Sequence, residues 1–346
     1  MRQARMSAAL AVVALALAAV SLRVPHQGFS GSVFVDIPRG TGSAGMARRL
    51  ADSGVIRFRW QLLAVRVLRP RARLQAGEYV FRRPASAWEV FDRLARGDVF
   101  FYELTVPEGY NLFDIAAALD KLDAVSGKVF MAAARDPTPI RDLAPQALTL
   151  EGYLFPDTYR ITKQTTAAQL CGQMTERFRH AWQQLGAPGP VHPVVTLASL
   201  VEKETARPEE RPLVASVFHN RLALGTALDC DPTAIYAALL DGRYAGGIYR
   251  SDLESKNGYN TYKHAGLPPG PIANPGLASL RAALHPADTH NLYFVARPDG
   301  SGAHVFSEGL EAHQRAVSQY RRASHKANQA RALQPVPRGS PARAAR

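Results

Sequence analysis

The segment Leu197-Ala-Ser-Leu-Val-Glu-Lys-Glu-Thr205 puts the tightest constraint on how this chain can fold. Written as a helix, Leu197, Leu200, Val201 and Glu204 recur at i, i+3, i+4 and i+7 and so share one buried face. Glu202 falls on another face, beside Lys203 and toward solvent. Burying an unpaired carboxylate is costly, so such a stripe is normally filled with apolar residues. The fold around this helix must therefore give Glu204 a partner, or open a cleft onto it where a raised pKa is useful. The second arrangement makes Glu204 a candidate general acid. A glutamate at such a position is more often an ion-paired structural residue, so its neighbours have to decide between the two.

The N-terminus bears on the compartment. Met1-Arg-Gln-Ala-Arg5 precedes an uncharged run from Met6 to Leu22 built almost wholly of Ala, Val and Leu. A bilayer span needs about 20 apolar residues and a secretory core about 7–15. The run lies between the two; its uniform apolarity argues against a buried core helix, and an Ala-Leu-Ala near residue 18 without a clean flank favours a single-pass anchor over a cleaved signal. Either reading places the chain beyond about residue 25 outside the cytoplasm, with Arg2 and Arg5 left on the cytoplasmic side of an anchor. The formal charge of +13 fits an anionic polymer or surface as a partner. No zinc finger, RNA-recognition signature or basic helix with interleaved aromatics is present, which argues against nucleic acid. Cys171 and Cys230 are too few for a disulfide framework, and one bridge or two free thiols both remain open.

Along the chain, Val33–Ile37 reads as a strand, Pro38–Thr41 as a turn, and 44–53 and 58–68 as helices. A strand at 74–81 with a glycine break and a helix at 88–95 complete that unit. Ile37-Pro-Arg-Gly40 with Met46-Ala47 and Leu50 matches Val106-Pro-Glu-Gly109 with Ile115-Ala116 and Leu119 at one common offset, so a strand, a turn and a helix occur twice. Helices are expected at 165–185, 193–205 and 211–224. A loop-rich stretch from Asp229 to Gly276 is too rich in Gly, Pro, Asn and Tyr for a plain core, and such loops are usually functional. A hairpin at 290–306, a helix at 310–320 and a basic, acid-free tail close the chain. The fold class expected is α+β.

The loop-rich stretch and the helix before it set Asn220-Arg221, Cys230-Asp-Pro-Thr233, Tyr259-Asn-Thr-Tyr262 and Gly266-Leu-Pro-Pro-Gly-Pro271 after Glu204. Amides, hydroxyls and aromatic faces suit pyranose rings, which present flat apolar faces and many hydroxyls. A glycosidase of the usual kind needs two carboxylates. Asp231 is the obvious second one, although the proline after it equally suits a cap or turn. The histidines show no metal-site spacing, and neither a Gly-x-Ser-x-Gly elbow nor a phosphate loop appears, so no metal or cofactor is expected.

Seven motifs together resemble a known family. They are Leu150-Glu-Gly-Tyr-Leu-Phe-Pro-Asp-Thr-Tyr159, Ala198–Thr205, Val214-Ala-Ser-Val-Phe-His-Asn-Arg-Leu222, Asp231-Pro-Thr-Ala-Ile-Tyr236, Tyr259–Tyr262, Gly266–Pro275 and Tyr293-Phe-Val. In this order they are similar to the endolytic murein transglycosylases, the MltG/YceG-like family. The resemblance implies one membrane helix, LysM-like modules and a peptidoglycan-cleaving catalytic domain. On that reading, residues 1–5 are a cytoplasmic stub, 6–24 the anchor and 25–32 a linker. Residues 33–101 form a LysM-like module, 102–149 a second, partial βα unit, 150–322 the catalytic domain, and 323–346 a disordered basic tail. The protein would sit in the inner membrane with its catalytic domain periplasmic. Its partners would be glycan strands, together with peptidoglycan synthases and elongation or division proteins.

The family pattern places a catalytic glutamate at the second Glu of Glu-Lys-Glu-Thr, which is Glu204, the residue the helix face also selects. Asn220, Tyr259, Asn260 and Tyr262 would orient the glycan, Asp231 and Thr233 would shape the site, and Tyr153, Arg221 and Thr261 would add contacts. Two positions depart from the family pattern: Cys230 stands where Thr or Ser is usual, and Asp229 where Gln is expected. The implied reaction uses one residue as acid and then base, which a Glu with its pKa raised to about 6 can do. A two-carboxylate muramidase and a non-catalytic glycan-binding scaffold are the competing readings.

Overall fold

The computed structural model describes residues 2–122, 124–186 and 189–332, which fall into two compact units. The first takes Met1–Thr105, Ala117–Gly127 and Thr158–Leu170, and the second Val106–Ala116, Lys128–Asp157 and Cys171–Arg346. Neither is one continuous stretch of sequence. Every strand pair is antiparallel and helices predominate, in keeping with an α+β arrangement.

The first unit opens with α1 (Arg2–Ser21), where a membrane span was expected. That expectation is corrected: among the described residues no helix is long and apolar enough to cross a membrane. The uncharged run starts only after Arg5, carries Ser7 and Ser21 near its two ends, and has alanine, whose single methyl adds little to transfer into lipid, at seven of its seventeen positions. Its far end is also committed to protein. The Ser21 carbonyl accepts a hydrogen bond from Gln61 Nε2 at 2.9 Å, and Leu22 is buried in the unit's core. The single-pass inner-membrane placement with a cytoplasmic N-terminus falls with the span.

Next come β1 (Val33–Ile37), α2 (Ser43–Asp52), α3 (Arg59–Leu68), β2 (Gly77–Phe81) and α4 (Ala87–Arg96). β1 and β2 pair with Val33 opposite Phe81 and Ile37 opposite Gly77. Strand alternation turns Val35 and Ile37 inward. They meet Leu50 of α2, Leu62 and Val65 of α3, Tyr79 of β2 and Phe91 of α4 in one core. α4 starts on a capping box: Ser86 Oγ accepts from the Glu89 N–H, and the Glu89 carboxylate accepts from the Ser86 N–H at 2.7 Å. It stops at Gly97, whose φ of 70° is the left-handed cap that glycine adopts freely. β3 (Tyr102–Thr105) pairs with β4 (Thr158–Ile161), so the strand of the second βα repeat finds its partner about fifty residues on.

The second unit contains the start of α5 (Leu112–Leu122), then α6 (Gly127–Ala134), most of α7 (Ala167–Leu185), α8 (Val191–Glu204), α9 (Arg211–Ala223) and α10 (Asp231–Leu240). A one-turn α11 (Arg250–Leu253), α12 (Leu277–Leu284), the β5–β6 hairpin (Tyr293–Ala296, His304–Ser307) and α13 (Leu310–Ala332) complete it. α8 is the centre, packed by α9, α10 and α12, and it buries Val195, Leu197, Leu200 and Val201. The expected loop-rich stretch therefore holds two helices, α10 and α11. α10 is buried nearly all round at Thr233, Ala234, Tyr236, Ala237 and Ala238, so it lacks the one-sided stripe that marks a surface helix in sequence. α13 runs on through the first part of the basic segment, and residues 333–346 of the expected tail lie outside the described residues. Cys171 and Cys230 are both free and buried.

Buried polar side chains hold this unit's loops. Glu151, wholly buried, receives hydrogen bonds from the Leu112 N–H, the Tyr236 hydroxyl and Asn274 Nδ2. Burial pushes its carboxyl up to about 8 against those donors. Asn274 Oδ1 in turn accepts from the N–H groups of Gly152 and Leu154, both at 2.9 Å.

Candidate active site

α8 ends at Glu204, and a cavity of about 390 Å³ opens there, a size that suits a small ligand or part of a chain. Its polar groups are Glu204, Asp229, Asp231, Tyr262 and Arg221. Its aromatic and apolar surface comes from Phe218 of α9, Tyr293 and Phe294 of β5, and Leu310 and His313 of α13.

Glu204 is half-buried, while Leu197, Leu200 and Val201 of its helix face are buried. Burial is the chief cause that raises the Glu204 pKa, and the charge of Asp231 adds to it. A hydrogen bond from the Cys230 thiol and the charge of His304 oppose the rise without cancelling it. The last residue of a helix also faces the negative end of the helix dipole, which disfavours a carboxylate. Cys230 is itself buried, and its thiol is held well above its ordinary pKa by burial and by the Glu204 charge, so it stays a donor. The site thus holds at its mouth a carboxyl that keeps its proton more readily than an exposed glutamate does.

Glu202 does not face solvent as expected from the helix face. Its side chain is 5% exposed and pairs with Arg211 at 2.9 Å, while its second oxygen accepts the Gly276 N–H at 3.0 Å. Arg211 also reaches Glu108 at 3.4 Å. Gly276 opens α12 in this crowd, and a Cβ there would collide with the Glu108 carboxylate. Both acids of the Glu-Lys-Glu motif are therefore withdrawn from solvent. Glu202 spends its oxygens on protein partners, and Glu204 opens onto the cavity.

Of the residues chosen from sequence, Glu204, Arg221, Asp231 and Tyr262 meet at the cavity. Asp231 begins α10, and its Oδ1 accepts the Tyr262 hydroxyl at 2.6 Å. The others have their side chains engaged inside the protein. Asn220 Nδ2 donates to the Thr289 and Asn291 carbonyls. Asn260 Nδ2 donates to the carbonyls of Asp252, Leu253 and Ser255. Thr233 Oγ1 donates to the Cys230 carbonyl at 2.6 Å and lies 2.9 Å from Thr261 Oγ1, which accepts the Cys230 N–H. Tyr153 is fully buried with its hydroxyl 2.7 Å from His192 Nδ1, and Tyr259 packs on Tyr236 at 5.1 Å between ring centres. Thr233, Asn260 and Thr261 fix the loops that carry Cys230, Asp231 and Tyr262, whereas Asn220 holds the 289–291 segment and Tyr153 a histidine of α8.

The cavity also contains residues that the sequence reading did not place there. Asp229 is the only non-glycine residue with positive φ (49°) among those described, and Arg221 Nη1 holds its carboxylate at 3.1 Å. A left-handed aspartate is tolerated better than most residues there, and such strain gathers at functional sites. Arg221 further donates to the Leu292, Ala227 and Leu228 carbonyls, tying the Asp229 turn to the strand β5. Tyr293, in a motif quoted for its resemblance, contributes a ring wall, and His313 comes from a helix whose sequence signals only amphipathicity.

Comparison with known proteins identifies the family. The model of the YceG-like family matches residues 35–319. An endolytic murein transglycosylase of Bacillus subtilis (strain 168) is 33% identical over 312 residues, covering 84% of this chain and 85% of that protein. One from Streptococcus pneumoniae (strain D39) is 28% identical over 325 residues, covering 83% of this chain but 58% of the streptococcal protein, so the chain spans little more than half of that relative. A 2.6 Å crystal structure of a YceG-like protein from Listeria monocytogenes superposes with a TM-score of 0.52 at 31% identity, covering 82% of this chain and 98% of that one. With a family model over most of its length and relatives above 30% identity, the chain belongs to the YceG/MltG-like endolytic murein transglycosylase family.

Proposed function

We propose that this protein cleaves the MurNAc–GlcNAc β-1,4 bond within peptidoglycan glycan strands without water, with Glu204 as the one proton-transfer residue. The observation that carries this reading is the raised-pKa carboxyl of Glu204 at the cavity. Glu204 gives its proton to the glycosidic oxygen as the C1–O bond breaks. The MurNAc C6 hydroxyl then attacks C1, and the Glu204 carboxylate takes the hydroxyl proton. A 1,6-anhydro ring closes, the leaving strand keeps the first proton, and Glu204 ends as it began. One group able to act as acid and then as base suffices for this cycle. The names of the Bacillus and Streptococcus relatives, endolytic murein transglycosylase, support murein as the substrate.

Mass spectrometry of products from purified glycan strands tests the reading, which expects 1,6-anhydroMurNAc ends. Ends heavier by one water would instead make this a hydrolase with Asp231 as the second carboxylate. Retention of strands with no turnover would leave a binding scaffold.

A further inference from the structure

α8 stops at Glu204, and the turn after it is tied to the β5–β6 hairpin through one buried carboxylate, Glu210. Its Oε1 accepts the His304 N–H at 2.9 Å, and its Oε2 accepts from His304 Nδ1 at 2.7 Å. The hydroxyl of Thr205, the residue bonded to Glu204, reaches the same Oε2 at 3.4 Å. Arg207 on this turn donates to the Ser301 carbonyl of the hairpin at 3.2 Å. Burial pushes the Glu210 carboxyl up, but the hydrogen bonds from His304 outweigh it and hold the pKa below its ordinary value. Glu210 is therefore an acceptor only, and His304 Nδ1 carries the proton between them. The His304 ring stands edge-on to Phe294 at 5.5 Å and 88°, and Phe294 lines the Glu204 cavity. A neutral amide would make the same link, so what the imidazole adds is its charge.

We propose that Glu210 and His304 are positioning residues for Glu204. Glu210 locks the residue after Glu204 to the hairpin that walls the cavity, and it holds there a ring whose charge, when protonated, steadies the Glu204 carboxylate. This rests on the glycan-cleaving reading above and adds to it the group that offsets the charge formed as the glycosidic bond breaks. At that step Glu204 becomes an anion, which burial and then the charge of Asp231 both disfavour. The charge of His304 works the other way. A cation fixed in advance beside a developing anion needs no reorganisation during the reaction. The other charges nearby are spent. Arg207 pairs with Glu209, and Arg221 with Asp229. Arg297 of the hairpin turns its Nε to the His304 carbonyl at 3.3 Å. Burial pushes the Cys230 thiol and the Tyr262 hydroxyl up, so neither is charged. On α13, which packs on both strands of the hairpin, burial and then the charge of Arg221 lower the His313 pKa.

The test titrates the Glu204 carboxyl by NMR of carbon-labelled glutamates, its signal assigned as the one lost in Glu204→Gln. The parent protein is compared with His304→Asn and His304→Gln, both neutral, the first keeping a donor near the Nδ1 position for Glu210. The Glu204 midpoint is expected to move to higher pH in both, because the charge removed is one that favours its carboxylate. On purified uncrosslinked glycan strands kcat should fall about tenfold, less than for a donor that touches the reacting oxygen. KM should change far less, and the alkaline limb of the pH–rate profile should move to higher pH, opposite to the effect of Asp231→Asn. Glu210→Gln should lower kcat as well, and the double variant Glu210→Gln/His304→Asn should lose little more than His304→Asn alone, since one pair is removed. A midpoint that stays in place or moves to lower pH overturns the assignment, as do losses that multiply in the double variant. Unfolding of both His304 replacements on thermal melting overturns it too, and leaves the pair a structural one. If the midpoint moves but the parent protein cleaves no strands, the glycan reading fails and takes the catalytic role of the pair with it.

Discussion

The two units treat buried polar groups in opposite ways. Between β1 and α4 the first unit packs one apolar core, with Gln61, Glu78 and Ser86 its buried polar side chains. The second unit buries Glu151, Glu210, Arg211, Asp252, Asn260 and Asn274, among others, and hangs its loops from them. A region that needs only to be stable can rely on apolar area. A region that must present Asp229, Asp231 and Tyr262 around one carboxyl needs irregular backbone, whose N–H and C=O groups must be paired by side chains. Mutations should accordingly act on stability alone in the first unit, and on stability and chemistry together in the second.

The largest contrast lies within two residues of one helix. Glu204→Gln should lower cleavage of glycan strands by about 10²–10⁴-fold, the usual worth of a general acid–base group, with no loss of melting temperature. Glu202→Ala should do the reverse. It leaves the buried Arg211 with only the more exposed Glu108, and breaking a buried pair costs about 3–5 kcal/mol. Thermal melting and initial rates on the two variants decide the matter. Full activity in Glu204→Gln would show that the acids have been assigned the wrong way round.

A second pair sets an apolar core deletion against a polar one. Leu50→Ala should destabilise the first unit by about 2–5 kcal/mol, as for other buried leucines, and leave the rate per folded molecule intact. Asn274→Ala should unpair the Gly152 and Leu154 N–H groups and one donor to Glu151. With about 1–3 kcal/mol at stake for each buried group, it should both lower stability and loosen the cleft. Hydrogen exchange would locate each loss, and an Asn274→Ala enzyme with unchanged kcat would break the proposed link between scaffold and chemistry.

The third test reads charge. The acid step needs protonated Glu204, so activity should fall as pH rises through the Glu204 pKa. Asp231 is one cause that raises that pKa, and Asp231→Asn removes the charge while its oxygen can still accept from Tyr262. The alkaline limb of the pH–rate profile should then move to lower pH. A limb that stays in place would mean that burial sets the Glu204 pKa alone.

How far each region could be read from sequence follows the same division. The apolar periodicity of β1, α2, α3 and α4 gave boundaries within a few residues, because alternating and i, i+4 patterns report directly on an apolar core. The stripe of α8 singled out Glu204, yet it placed Glu202 in solvent, since a helix face cannot reveal that Arg211 and the Gly276 N–H wait on the other side. The Asn and Thr residues of the motifs read as ligands for a sugar because their chemistry suits one. The same chemistry suits backbone amides, and the structure engages Asn220, Asn260, Thr233 and Thr261 there. Asp229 was visible only as a departure from the family pattern, and its left-handed backbone has no signature in sequence. The N-terminal run misled because length and absence of charge were weighed above the modest apolarity of alanine.

The smallest effects should come from removing single hydroxyls, one in each region. Ser86→Ala deletes the acceptor for the Glu89 N–H at the start of α4, a cap worth about 1 kcal/mol, far from any reacting group. Thr233→Val keeps shape but removes the hydroxyl that joins the Cys230 carbonyl to Thr261, at a comparable price of about 1 kcal/mol. Equal losses of stability should nevertheless part in their rates. Ser86→Ala should cleave strands as the parent does, whereas Thr233→Val frees the turn that aims the Cys230 thiol at Glu204 and should shift the pH–rate profile along with its modest melting change. If both variants give the parent profile, the Thr233–Thr261 link serves stability alone, and the division between the two units is one of degree.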